Sequence, residues 1–197
     1  DLNNTLTALE AIYYSRHLVK DTPEAKTDLN WKAAISFIQK CQNLKSHNKE
    51  PWVSEDPENK GGMIYFPGKS QAGSAKGSQS GRTALRSYGS ISYAGMLSYA
   101  YAELDKTDPR VTSVQKWLVD NYTLEENPGM GAQGQFYYYY LMAKALTIYG
   151  TDKLKLKDGK EVDWRKDLAL KLIGFQDQDG SWINKKASRW WENERPL

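Results

Sequence analysis

The sequence predicts an all-α protein built of repeated helical hairpins, and three observations predict it. Apolar residues recur at helical spacing through most of the chain. The pairing of a helix rich in Ala, Gly and Tyr with a more amphipathic one returns three times. Strand-type patterning is confined to the short run Met63-Ile64-Tyr65-Phe66. Hairpins of this kind cannot bury their apolar faces alone, so they are expected to stack into a solenoid or a closed ring. At 197 residues the chain, 1–197, reads as one domain or as one incomplete larger one.

The first hairpin opens with Leu6, Leu9, Ile12 and Tyr13 on one face, with Ala8 and Ala11 between them. Asp1, Asn3, Asn4 and Thr5 crowd polar groups at its mouth. Unpaired N–H groups and the positive end of the helix dipole there favour capping, binding or catalysis. Thr22-Pro23 marks a break, and Trp31, Ala34, Ile35, Ile38 and Cys41 form the partner stripe. The second hairpin runs from Ser90 to Leu104, carrying Ile91, Ala94, Leu97 and Tyr101. It resets at Asp108-Pro109 and continues through Val111, Val114, Trp117 and Leu118. The third begins near Phe136 with Tyr140, Ala143 and Ile148, and its partner spans 164–175 with Leu168, Leu172 and Phe175 on one face.

The long connection at about residues 45–86 breaks this rhythm. Six glycines (Gly61, Gly62, Gly68, Gly73, Gly77, Gly81) give it freedom, while Trp52, Met63, Ile64, Tyr65 and Phe66 give it an apolar anchor. Loops beyond about 12–15 residues are mostly functional or disordered. This one is expected to lie as a lid over a central cavity or to pack as an ordered flap. Its Gly68–Arg82 run lacks the G-K-[ST] ending at the spacing of a phosphate-binding loop.

Charge narrows the function classes. With 27 basic and 24 acidic residues the net charge of +3 is too small and too evenly spread for a nucleic-acid partner. Cys41 stands alone, which excludes an internal disulfide and a structural zinc site built on cysteines. No stretch reaches the roughly 20 apolar residues of a membrane span. No signal peptide is visible. A soluble protein is expected, its compartment open and export included, with any targeting segment outside these residues. The 7 Trp and 13 Tyr against 4 Phe suit half-wet cavities and binding surfaces, as well as lids on helix seams.

Four runs carry a family resemblance. Gln176-Asp177-Gln178-Asp179-Gly180-Ser181-Trp182 matches Q-x-x-x-G-x-W. Asp1-Leu2-Asn3-Asn4-Thr5 looks like the Asp-x-Asp-Asp-Thr box of class II terpene cyclases. The run from Leu85 to Gly95, and Asn127-Pro128-Gly129-Met130-Gly131 followed by Tyr137 to Tyr140, look like second and third repeat signatures. Over essentially its whole length the chain resembles the squalene cyclase and protein prenyltransferase superfamily. It is most similar to bacterial proteins described as prenyltransferase and squalene oxidase repeat proteins. The resemblance implies an α/α toroid, partial or complete, with inner helices around a central funnel and outer helices wrapping them. It gives Gln176, Gly180 and Trp182 a structural role: Gln caps the next helix, Gly makes the turn and Trp stacks beneath.

The same resemblance points to two chemistries, and the residues here depart from both. A cyclase protonates an alkene with the middle aspartate of its box; Asn3 occupies that place and an amide has no proton to give. Prenyltransferases hold zinc with an Asp, a Cys and a distant His. Gln133 and Gln135 fall at the first two positions, and His17 and His47 lie in or near the first hairpin. No metal and no cofactor is therefore expected.

What remains is a cavity rim: Asp1, Asn3, Asn4, Arg86, Tyr88, Tyr93, Tyr137, Tyr138, Arg189 and Trp190. These residues either converge on one cavity, taking an apolar isoprenoid-like or a carbohydrate ligand, or pair with helix ends and nearby loops. Two further readings share the toroid. A polysaccharide lyase-like enzyme would use Arg86 with Tyr88 near the sugar. A protein-interaction module would resemble complement thioester domains, although Cys41-Gln42-Asn43-Leu44 lacks their Cys-x-x-Gln order. Substrate, residual activity and oligomeric state stay open.

Overall fold

The computed structural model describes residues 1–19, 21–22, 29–74 and 84–194; Pro23, Gly77, Gly81 and the end of the Gly68–Arg82 run lie outside them. Six α-helices carry the described fold: α1 Leu2–Ser15, α2 Trp31–Lys40, α3 Gly89–Tyr101, α4 Pro109–Asp120, α5 Gln135–Ile148 and α6 Trp164–Phe175. The sequence stripes fall on these helices in the expected order. A two-stranded antiparallel pair, β1 Leu154–Lys155 and β2 Glu161–Val162, joins α5 to α6 and was not visible as a pattern. Met63-Ile64-Tyr65-Phe66 makes only isolated bridges, Gln42 with Met63 and Phe66 with Lys69, in place of a strand.

Four helices begin on their own caps. The N–H of Asn4 donates to Asp1 Oδ1 at 2.9 Å, that of Ala33 to Asn30 at 3.0 Å, and that of Lys166 to Asp163 at 3.1 Å. Asp108 accepts from Arg110 N–H, with Pro109 in the first turn. Helices α3 and α5 start instead from Tyr88 and Gly134, which supply no side-chain cap. Their exposed N–H groups must be met from elsewhere in the chain, and this organises the site below.

Helix α3 is the axis of the packing. It lies between α1 and α5, with α2 and α4 also against it. Nearly every α3 side chain is buried, Ile91, Ala94, Leu97 and Tyr99 among them. That explains its composition: small residues let neighbours approach on every side. The α5 stripe read through Tyr140, Ala143 and Ile148 is corrected. Tyr140 and Ile148 are exposed, and the core face is Tyr138, Leu141, Met142, Ala145 and Leu146. Four tyrosines in a row carry no period from which to set the phase.

The described part of the 45–86 connection is an ordered flap. Met63 and Ile64 are buried, and buried Asn43 and Asn59 bind its strands of backbone. Asn43 Nδ2 donates to Leu85 O at 2.9 Å and its Oδ1 accepts from Ser54 N–H at 2.8 Å. Asn59 Oδ1 accepts from Ser87 N–H at 2.9 Å. The flap thereby fixes residues 85–88, the entry to α3.

The Gln176–Trp182 turn closes on itself. Gln176 Nε2 donates to Gly180 O at 3.0 Å, Gly180 takes a φ of +84°, and Trp182 Nε1 donates to Leu172 O at 2.8 Å. Gln176 thus holds the turn closed and Trp182 ties it back to its own helix α6, where the resemblance implied capping of the next one. No helix among the described residues is long and apolar enough to cross a membrane.

Candidate functional site

The N-terminal ends of α1, α3 and α5 converge on one cavity of about 330 Å³. Asn3 comes from α1, Ser90 and the preceding Tyr88 from the start of α3, and Gly134 and Tyr137 from the start of α5. Tyr65 and Gln71 of the flap and Trp190 and Glu192 of the C-terminal segment complete the wall.

Each mouth is held differently. At α1, Asp1 caps the helix through Oδ1 and accepts the Tyr65 hydroxyl through Oδ2 at 2.7 Å. At α3, fully buried Asn127 takes Ser90 N–H at 2.9 Å and gives its amide to Ser90 Oγ at 3.1 Å, while Gly89 N–H reaches Pro128 O at 2.8 Å. At α5, the Glu192 carboxylate accepts three successive backbone N–H groups, from Gln135 (2.9 Å), Phe136 (3.0 Å) and Tyr137 (3.2 Å). A carboxylate at this position satisfies orphan donors and the dipole together.

Docking Glu192 sets the backbone beside it. Trp190 and Trp191 both lie in the left-handed region, at φ +60° and +56°. Such conformations cost on the order of 1–3 kcal/mol each and persist only where surrounding contacts dictate them. Here Asn184 supplies the contacts: its N–H donates to Glu192 O at 2.7 Å, and its amide donates to Ala132 O at 2.6 Å and Glu192 Oε2 at 3.0 Å. The Trp190 ring then lies over Gly134, whose φ of +65° and closeness to the ring, 3.0 Å from where a Cβ would stand, both demand glycine.

The described wall of the cavity is largely aromatic, with Glu192 its one acidic residue. Tyr88 is only 3% exposed. Asn3 Oδ1 is buried without a partner. Burial, then the neighbouring Tyr65 and Tyr137 phenols, push Tyr88 well above the usual tyrosine range. Burial, then Tyr140, push Tyr137 up to about 12. These hydroxyls remain protonated at physiological pH, so they act as donors and not as bases. No Lys or Arg is among the described residues that line the cavity.

Of the residues read from sequence as rim candidates, Asn3, Tyr88, Tyr137 and Trp190 line the cavity. Asp1 stands behind it as cap and Tyr65 anchor, and Asn4 is exposed on α1. Tyr93 and Tyr138 are corrected to core residues: each is 1% exposed, their rings lie 5.7 Å apart, and Tyr138 donates to Thr123 O at 3.0 Å. Arg86 and Arg189 are exposed and do not line it. The Arg86–Tyr88 pair is thus not assembled. Cys41 is buried, and the adjacent Gln42 is engaged by Tyr99 and by backbone. Gln133 accepts Ser188 N–H, and Gln135 donates to Glu125 O and Tyr139. No group of His, Cys, Asp and Glu able to hold a metal ion occurs among the described residues.

Sequence reasoning missed Tyr65, Gln71, Ser90, Gly134 and Glu192 as wall residues. Glu192 had no local cue, since the helix it caps begins 57 residues earlier in the chain. Comparison with protein-family models, with curated proteins and with solved structures found no match.

Proposed function

We propose that this chain is a section of an α/α toroid, with α1, α3 and α5 as inner helices and α2, α4 and α6 as outer ones. It works as a squalene cyclase/prenyltransferase-like repeat protein that binds a small ligand at the funnel mouth without that superfamily's acid or zinc chemistry. One observation carries this reading: three helix mouths, each capped from a different part of the chain, meet at a single aromatic cavity. Asn3 forms its wall at the place where the resemblance puts the proton donor. An amide there can orient a ligand but cannot protonate an alkene.

Below the mouth the space is filled. Tyr101 of α3 packs against Tyr13 and Tyr14 of α1, and Lys144 of α5 pairs with Glu10 of α1. A long isoprenoid chain finds no apolar tunnel there, so the ligand is small. The test is native mass spectrometry with thermal shift, using isoprenoid alcohols, neutral saccharides and uronic acids against wild type and Asn3→Trp. Wild type is expected to hold at least one compound, and the bulky indole on the wall to weaken it about tenfold or more. Failure of every compound, or binding indifferent to Asn3→Trp, overturns the reading.

A further inference from the structure

Resting on the ligand-binding reading above, we infer that the mouth cavity selects an uncharged saccharide, a single sugar ring or a disaccharide. The argument begins with charge. Three helix N-termini point at the cavity, each worth about half a positive charge. The carboxylates of Asp1 and Glu192 are already bonded to two of those termini and offset them. With no Lys or Arg among the described residues of the wall, those residues offer no cation to hold an anion such as a uronate. Both carboxylates are engaged, Asp1 by Asn4 N–H and the Tyr65 hydroxyl, Glu192 by backbone N–H groups and the Asn184 amide, so neither stands free for a cation.

Shape and polarity supply the rest. A pyranose has apolar C–H faces and a rim of hydroxyls that each donate and accept. Tyr88, Tyr137 and Trp190 offer ring surface for the faces. Trp190 is 46% exposed and Tyr137 38%, so a ligand reaches both rings from solvent. For the hydroxyls the wall offers Asn3 Oδ1, which is buried and without a partner, with the Gln71 amide and the Tyr88 phenol beside it. An amide presents a donor and an acceptor side by side, matching a hydroxyl pair on a sugar. Mixed aromatic and amide walls suit a polyol; an isoprenoid would leave these polar groups unpaired. The volume of about 330 Å³ lies at the small end of ligand pockets, roughly 300–1,000 Å³.

The experiment is an array of neutral mono- and disaccharides with their uronic-acid counterparts, followed by saturation-transfer NMR on the hits, with farnesol as the apolar probe. Wild type is expected to bind a neutral saccharide and not its uronate. Tyr137→Ala and Trp190→Ala, both at exposed positions, are expected to lower affinity about tenfold, and Tyr88→Phe about two- to tenfold through one lost hydrogen bond. Circular dichroism confirms that each variant is folded. Binding of uronates or farnesol in place of neutral saccharides overturns the sugar assignment and leaves the cavity reading standing. Binding of nothing, by a folded protein, overturns both.

Discussion

Glu192 ties the site together at the level of single residues. Its carboxylate closes α5, and its backbone, through Asn184, presents Trp190 to the cavity. Glu192→Gln keeps the shape but removes the charge and an acceptor oxygen. It is expected to cost about 0.5–2 kcal/mol in denaturant unfolding, as for a lost N-cap. Faster amide exchange confined to the first turn of α5 would accompany it; unchanged exchange there would contradict the cap. Gly134→Ala tests the neighbouring contact. A left-handed alanine costs roughly 1–2 kcal/mol, and the added methyl must push the Trp190 ring aside. The expected readout is a lower melting temperature with a changed tryptophan emission. Legibility at this scale followed position in the helix. Asn3, Tyr88 and Tyr137 could be read because they precede or open a helix. Glu192 could not, because it caps a helix that begins 57 residues earlier in the chain.

At the level of elements, helices divide by where their caps come from. Those starting on Asp or Asn announce their ends in the sequence, and α4 and α6 fall where the periodicity placed them. Helices α3 and α5 borrow their caps, and there the sequence misled: the phase of α5 is set by Tyr138 and Leu141, not Tyr140. The β1–β2 pair escaped because two-residue strands are too short for any alternation. Burial makes α3 the most sensitive element. Leu97→Ala, at a fully buried position, is expected to destabilise by about 2–5 kcal/mol. The same change at Leu170 of α6, 59% exposed, should cost far less. Equal losses in urea unfolding would contradict α3 as the packing axis.

Across the whole molecule, the tyrosine content becomes a pH liability. Burial raises the pKa values of Tyr88, Tyr93, Tyr99 and Tyr138 above the ordinary range. Above about pH 10 the unfolded chain loses these protons while the folded one keeps them. The unfolded state then binds fewer protons, so stability falls with rising pH, by up to about 1.4 kcal/mol per pH unit per tyrosine. At neutral pH the groups contribute nothing to this slope. Urea midpoints are expected to drop steeply between pH 10 and 11, relative to pH 8; a flat midpoint would contradict the burial of these phenols. The succession of hairpins was legible across the chain because helical periodicity is local. The convergence of three mouths was not, since it depends on buried asparagines and a downstream glutamate acting across the fold.

The measurement that bears most directly on the central claim is a ¹H–¹⁵N shift map during titration with the neutral saccharide that binds best. The account predicts perturbations confined to the three helix mouths and their partners, around Asn3, Gln71, Tyr88, Tyr137 and the Trp190 indole. Perturbations centred on α6 and Trp182, or none at saturating saccharide, would contradict it.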